Sequence, residues 1–402
     1  MLLYSKERTS FLFLFFLYFF FETCIGGSGG LLKYDFITLR KVNFVLAILV
    51  MLYVIYMREK LDYETLRLTF IFIILLLTNT IIGIFNYGND DRISENFLAE
   101  SFFILLPFYP LFIKNTYHVR AVIKIFAWSS IIQAIAYLSL LVLIYLGVFN
   151  YIAVYDVLTQ SGDFFGRGIF GFWYKGFIYM CLGIYFMDLI KSSFLKRLVQ
   201  VIVLIALVFT LTRGFVAALF GTAIIYNFFF KSKIKSVAVV VIALVSIIAL
   251  KGLFEDPSLN RGLSDNVRSV QVEEVMDAVT PLSFFIGHGL GKGVSIRQNH
   301  MEINYLEIFH KQGIIGVAFW IYLLIYIVLG YVNVRRVSPE NEKIARPFFL
   351  ATVFVYIESL TNPFLTNSIG LNVIMVSIVC LNVLKRRQSH EDIGSNGYLQ
   401  WR

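Results

Sequence analysis

"IRQNHMEINYLEIFHKQGIIG", Ile296–Gly316, changes character halfway along. Its first part is polar and carries His300, Glu302 and Glu307. From Ile314 the chain turns apolar for roughly the 20 residues that a membrane-crossing helix needs. Ionisable groups set against the mouth of such a helix are costly unless they have a task. The reading of this stretch therefore decides both the fold and where function is to be sought.

Working outward, apolar runs of the same length recur along all 402 residues. The chain is 58% hydrophobic and only 15% charged, where a soluble protein carries about a quarter charged residues. Crossings are expected at 11–25, 42–57, 68–87, 97–113, 125–149, 170–190, 198–212, 214–230, 236–252, 313–332, 347–362 and 369–384. The fold class is an all-α polytopic membrane protein of about 12 transmembrane helices, a single membrane domain over 1–402 with no separate soluble domain. "FETC" before Cys24 has neither a small-x-small cleavage site nor a small residue ahead of the cysteine, so the first run reads as an anchor and not a signal peptide. Cys24, Cys181 and Cys380 are scattered and give neither a disulfide framework nor a zinc site.

With the amino terminus inside, every inner connection is basic: Lys191/Lys196/Arg197, Lys231/Lys233/Lys235, Arg335/Arg336 and Lys385/Arg386/Arg387. That is the bias that sets orientation. It accounts for the net charge of +9 without nucleic acid. Both termini fall in the cytoplasm, with 385–402 as a cytoplasmic tail. Two outward connections are long, 150–168 and the partly helical 253–312, and loops of that length usually have work to do. The outer compartment has no ATP, so a reaction there needs a substrate that arrives already activated.

Cations on the outer face run against the positive-inside bias. Arg213 sits in "FTLTRGFVAAL", a turn so tight that its two helices nearly touch. Arg268 lies in "LSDNVRSVQVEEVMDAVT", where Ser264 can cap a helix whose apolar face is Val272, Val275, Met276 and Val279. Arg268 falls on that same face, one turn earlier. An ion pair with Asp265 is the plain alternative. Arg167 and Lys175 flank "GRGIFGFWYKG", in which Trp173 and Tyr174 could stack on a sugar or simply belong to an interfacial aromatic belt. "GHGLGKG", Gly287–Gly293, lacks the spacing of a Walker loop. Its glycines allow a tight path toward the bilayer, and Lys292 and Arg297 join the candidates for binding phosphate. In the opening stretch Asn299 and Glu302 can form a capping box, Glu307 and Lys311 an i,i+4 pair, and Gly313 and Gly316 a close helix contact. His300 is left without a structural task and is suited to accept a proton.

Taken in order, these patterns resemble the O-antigen polymerase and ligase superfamily, membrane glycosyltransferases of the GT-C type. "TLTRGFVAAL" is similar to the family's Thr/Ser-Arg helix start, "DNVRSVQVEEV" to the segment opening the outer loop, and "GRGIFGFW" to the Arg/Gly stretch before the sixth crossing. "NHMEINYLEIFHKQGIIG" resembles its His-Asn-x-Tyr-Leu…Gly-x-x-Gly signature, with one departure. The ligase histidine stands eleven residues before the first glycine; here His300 stands thirteen before Gly313, and Glu302 occupies the eleventh position. The base is thus His300 or Glu302, and the looser spacing favours a polymerase over a ligase.

The resemblance implies a donor glycan on undecaprenyl diphosphate, transferred onto a lipid-linked repeat unit at the outer face of the bacterial inner membrane. Arg213 and Arg268 would stabilise the departing diphosphate, with Arg167, Lys175, Lys292 and Arg297 as further substrate contacts. No metal and no cofactor is expected. The expected partners are the lipid-linked oligosaccharide and membrane lipid, with a chain-length regulator and a flippase as candidates. The alternatives are a ligase acting on a lipid core and, in another class, a lipid-linked oligosaccharide flippase. A flippase should show internal repeats and charges buried mid-span.

Overall fold

The computed structural model describes residues 2–31, 33–34, 37–57, 61–167, 171–187, 190, 192–249 and 261–385. Most of these are helical: α1 (Leu2–Ile25), α2 (Leu39–Tyr56), α3 (Tyr63–Tyr87), α4 (Asp91–Ser101), α5 (Tyr109–Phe112), α6 (Thr116–Tyr145), α7 (Tyr151–Thr159), α8 (Phe177–Phe186), α9 (Ser193–Phe209), α10 (Arg213–Tyr226), α11 (Lys233–Ala249), α12 (Arg261–Ala278), α13 (Pro281–Ile286), α14 (Asn304–Val337), α15 (Glu342–Glu358) and α16 (Ser368–Lys385). Two short antiparallel hairpins accompany them, β1 (Lys33–Tyr34) with β2 (Ile37–Thr38), and β3 (Phe164–Arg167) with β4 (Gly171–Tyr174).

Among the described residues six helices are long and apolar enough to cross a membrane: α2, α3, α6, α10 with its extension to Lys231, α14 and α16. Five of them bury only 22–33% of their most apolar stretch, whereas α16 buries 78%. The last helix is therefore the centre of the bundle, and the others present an apolar face outward, as lipid requires. Asn372 on α16 is satisfied inside the bundle. It accepts from the Tyr109 hydroxyl and donates to the Tyr179 hydroxyl at 3.0 Å, as a polar side chain in an apolar interior must be.

Two expected crossings are not single long helices. Segment 97–113 is broken into the end of α4, a tight 3₁₀ stretch Phe102–Phe108, and the one-turn α5. Pro107 and Pro110 lack the amide that a continuous helix uses. Phe103, Leu105, Leu106 and Phe108 are wholly buried, so the irregular backbone is sheltered by protein. Segment 170–190 begins as strand β4 and continues as α8, only ten residues long. A helix of that length rises about 15 Å, half a hydrocarbon core. The other expected crossings coincide with helices. Residues 250–252 of the ninth, residues 253–260 of the long loop and the tail beyond Lys385 lie outside the described residues.

The bundle has two chemically distinct ends. At one, Glu342 accepts from the Tyr226 and Tyr331 hydroxyls at 3.2 and 2.8 Å, and Asn341 donates to the Leu384 carbonyl at 3.2 Å. Lys231, Lys233, Arg335, Arg336 and Lys385 belong to this end. At the other end, the start of α14 meets the end of α15 and the start of α16. The Asn304 amide donates to the Ser359 carbonyl at 3.1 Å, and the Leu365 amide to Asn304 Oδ1 at 2.7 Å. The start of α2 joins them through Arg40, which holds Glu22 at 3.0 Å and Ser368 at 2.9 Å. The candidate residues lie at this second end.

Candidate functional site

The opening stretch folds around a break. Gly313 has φ 64° and ψ −167° inside α14. That is the left-handed region glycine tolerates and a branched residue does not. The interruption exposes two carbonyls, and the 287–291 segment takes them. His288 N–H donates to the His310 carbonyl and Gly289 N–H to the Lys311 carbonyl, each at 2.9 Å. A Cβ at Gly287 would lie 2.2 Å from the Lys311 oxygen, and one at Gly313 would lie 2.3 Å from the Phe285 oxygen. Leu290 N–H goes to the Asn79 carbonyl at 2.9 Å and Gly291 N–H to Asn96 Oδ1 at 3.1 Å. The glycines of "GHGLGKG" thus dock the loop on the bundle, and these amides are spent on protein acceptors. Lys292 lies over the Tyr87 ring at 5.5 Å. Gly313 makes the break and also lets the backbone approach Phe285 of α13 closely, while Gly316 is packed by the Gln312 side chain of its own helix.

The capping box expected of Asn299 and Glu302 does not form. Helix α14 starts at Asn304, two residues after Glu302. Asn299 donates to Glu95 at 2.9 Å instead. His300, just outside the helix, places Nδ1 3.1 Å from Glu307 Oε1. Glu307 is also ion-paired with Lys311, and both side chains are nearly sealed, at 3% and 2% exposure. Lys311 further donates to the Asn299 carbonyl at 2.9 Å, and the Met301 amide donates to Glu307 Oε2 at 3.3 Å. The imidazole itself is 42% exposed. A carboxylate on Nδ1 favours the tautomer with its proton there, which leaves the Nε2 lone pair able to accept a proton.

Glu302 is placed otherwise. Arg268 lies 3.0 Å from its Oε2 and Arg297 lies 3.0 Å from its Oε1. Its amide donates to Gln271 Oε1 at 3.1 Å. Both carboxylate oxygens are held by guanidiniums, so Glu302 orders two arginines and is poorly placed to take a proton from a substrate. Arg297, exposed, is half of that clamp.

Helix α12 is already formed at Arg261, so Ser264 lies within it and does not cap it. The buried face is also turned from the expected one. Val272 and Met276 are exposed, while Gln271 and Val275 are wholly buried. Arg268, Gln271 and Val275, spaced i, i+3 and i+7, point to the protein. Val275 packs with Val294 and Met301 in a small core beneath the loop. Glu274 fixes the adjoining turn by accepting from Ser295 N–H at 2.7 Å and from its hydroxyl. Those hydrogen bonds lower the Glu274 carboxyl from its ordinary range. His288 is pushed down by burial and then by the Lys292 charge.

Arg213 opens α10 after the turn Thr210–Thr212, where Leu211 carries φ 53°. A branched side chain there is strained, and strain of this kind gathers at functional sites. The next residue, Gly214, lies against Glu358. A Cβ on Gly214 would come 2.6 Å from Glu358 Oε1 and 3.0 Å from Oε2. Glu358, at the end of α15, is 1% exposed. It accepts from Asn362 Nδ2 at 2.6 Å, and it lies in the field of the Arg268 charge. The α10 start carrying Arg213 thus packs against one buried carboxylate, which also lies in the field of the Arg268 charge.

Trp173, Tyr174 and Lys175 of the hairpin region do not join this cluster. Arg167 closes β3 in register with Gly171, and residues 168–170 lie outside the described residues. Trp173 and Tyr174 are buried rather than presented for stacking. Tyr174 donates to the Ile25 carbonyl, and Trp173 packs on Phe165. Lys175 lies 3.4 Å from Asp163, which is itself engaged with Ser28 and Gly30. That pair fastens the hairpin to the end of α1.

Two members of the cluster were missed at the level of sequence. Glu307 reads there as half of a surface pair, because spacing does not reveal burial. Glu358 had a signal, a lone carboxylate at the end of the apolar run "FLATVFVYIE".

Comparison with known proteins bears out the resemblance drawn from the motifs. The chain is 26% identical over 387 residues to a protein named O-antigen polymerase from Shigella flexneri, covering 93% of this chain and 96% of that one. No protein-family model matches the chain. No solved structure matches it either.

Proposed function

We propose that this protein polymerises a surface polysaccharide of O-antigen or capsule type. It transfers a glycan from undecaprenyl diphosphate onto a lipid-linked repeat unit at the outer face of the bacterial inner membrane. The full-length similarity to an O-antigen polymerase supports the activity. The mechanism is supported by the packing of the Arg213 helix start against Glu358, in the field of the Arg268 charge, at the end where His300 rests on Glu307. The opposite end holds Lys231, Lys233, Arg335, Arg336 and Lys385, which supports a cytoplasmic placement for that end and for both termini. Twelve crossings in a GT-C-like arrangement fit this orientation, with the broken 97–113 and 170–190 segments counted among them.

In the reaction an acceptor sugar hydroxyl attacks the anomeric carbon of the donor. Its proton passes to His300 Nε2, while Glu307 accepts the hydrogen bond from Nδ1 and offsets the charge gained by the ring. The bond from the anomeric carbon to the diphosphate oxygen breaks. Undecaprenyl diphosphate leaves with the bonding electrons, and negative charge grows on its oxygens. Arg213 and Arg268 meet that charge with forked donors. Such pairing needs Arg268 to exchange Glu302 for phosphate, and the partial exposure of that ion pair allows it.

A strain lacking the gene, complemented with wild type or Arg213→Ala, tests the reading on a gel of its surface polysaccharide. Single repeat units attached to the surface in the deletion strain support a polymerase. Free long lipid-linked chains would instead indicate a ligase, and no exported glycan at all a flippase.

A further inference from the structure

Among the charged groups at the candidate end, the mechanism leaves Glu358 without a task. The side chain is 1% exposed. Its Oε1 takes one hydrogen bond, from the neutral amide of Asn362. Its Oε2 is buried and has no hydrogen-bond partner. Polar atoms left so are rare in folded proteins and call for an explanation. The backbone opposite is Gly214, the residue after Arg213, at the start of a helix that the Thr212 side chain does not cap, donating instead to the Thr210 carbonyl. Any side chain at 214 would press on the carboxyl group. The space is therefore kept for Glu358, beside the helix start that carries Arg213 and in the field of the Arg268 charge.

We propose that Glu358 is a specificity-determining residue that accepts a hydrogen bond from a hydroxyl of the sugar bearing the diphosphate. The inference rests on the reading of Arg213 and Arg268 as the diphosphate site. A sugar linked directly to that diphosphate must lie within one ring's length of the arginines, and Glu358 is the acceptor set there. Sugar hydroxyls supply the donor that Oε2 lacks. Seating the diphosphate draws Arg268 from Glu302, and the same rearrangement opens the carboxyl group to the sugar. A site built to hydrogen-bond a substrate hydroxyl discriminates strongly against ligands that lack it.

The test uses the full chain in lipid nanodiscs and two probes: the lipid-linked repeat unit, and undecaprenyl diphosphate without sugar. Wild type, Glu358→Gln, Glu358→Leu and Gly214→Ala are compared, each checked for its melting point. The expected result is that all four bind undecaprenyl diphosphate alike. Glu358→Leu and Gly214→Ala should lose about 10-fold or more in affinity for the repeat unit, and Glu358→Gln, which keeps an acceptor oxygen, should lose less. An equal loss for both probes would show that Glu358 acts through the arginines or the fold, and would overturn the proposal. Unchanged repeat-unit binding in Glu358→Leu would overturn it as well. Failure of wild type to bind undecaprenyl diphosphate would bring down the diphosphate reading first, and this one with it.

Discussion

His300 Nδ1 lies 3.1 Å from Glu307 Oε1, and the same carboxylate is buried against Lys311. A half-exposed histidine is thereby oriented by an interior ion pair, an arrangement that favours the tautomer with its proton on Nδ1 and leaves the Nε2 lone pair able to accept.

From this, His300→Ala should reduce polymer synthesis by about 100-fold or more with little change in melting point, on the scale of losing a general base. Glu302→Gln should cost less, because it loosens Arg268 and Arg297 without removing the base. The two variants side by side, assayed with purified lipid-linked repeat unit, decide between them. A larger defect in Glu302→Gln would reassign the base.

Glu307→Gln leaves Lys311 buried without its counter-charge, which should destabilise the protein by about 3–5 kcal/mol. The double variant Glu307→Gln with Lys311→Met removes the stranded charge. It should recover most of the melting temperature in detergent and none of the activity. Recovered polymerisation would mean that the carboxylate serves the fold alone.

Arg213→Ala should abolish long glycan chains while the protein still inserts in the membrane. Arg213→Lys should not rescue them, since a point ammonium lacks the forked donors of a guanidinium. Chain-length profiles on a polysaccharide gel, beside membrane-fraction blots, make the measurement. Normal chain lengths in Arg213→Ala would remove it from the site.

Gly313→Ala places a Cβ in a left-handed backbone position, 2.3 Å from the Phe285 carbonyl oxygen. The strain should cost about 1–3 kcal/mol and loosen the docking of 287–291 on the kink. A lowered melting point with faster proteolysis within 281–293 is expected. An unchanged melting point would show that the break is tolerant.

His288 titrates below its ordinary value because burial, then the Lys292 charge, disfavour the imidazolium. The His310 ring, 4.8 Å away, packs on the same side. The unfolded chain therefore binds a proton more readily than the folded one. Stability from this group is full above the ordinary histidine value of 6.5, and it is lost progressively as pH falls below it. Melting points at pH 7.5 and 5.5 should differ less in His288→Asn than in wild type. An equal difference in both would assign the acid sensitivity elsewhere.

Sequence alone settled the helical membrane class, because an apolar run long enough to cross a bilayer has few other uses. It also singled out Arg213 and Arg268, because cations at the sparsely basic end of such a chain are conspicuous. It misjudged features that depend on what surrounds a residue. The capping box of Asn299 and Glu302 has the right letters, yet Glu302 is taken by Arg268 from outside the local segment and by its near neighbour Arg297. Trp173 and Tyr174 look like a sugar platform, yet they are buried where the hairpin packs. Lys175 looks like a loose cation, yet it lies beside Asp163.

Periodicity and composition record a local preference for helix and lipid, and these the chain carries in itself. Burial and pairing arise only when distant segments meet. Glu307 becomes an interior acceptor because Asn299, His300 and Met301 fold back over the start of α14. Glu358 faces the helix start that carries Arg213 only because the beginning of α10 and the end of α15 come together. The sequence by itself determined which side chains were available for chemistry. The tertiary structure decided which of them face one another, since electrostatic partnership depends on distance through space and not along the chain.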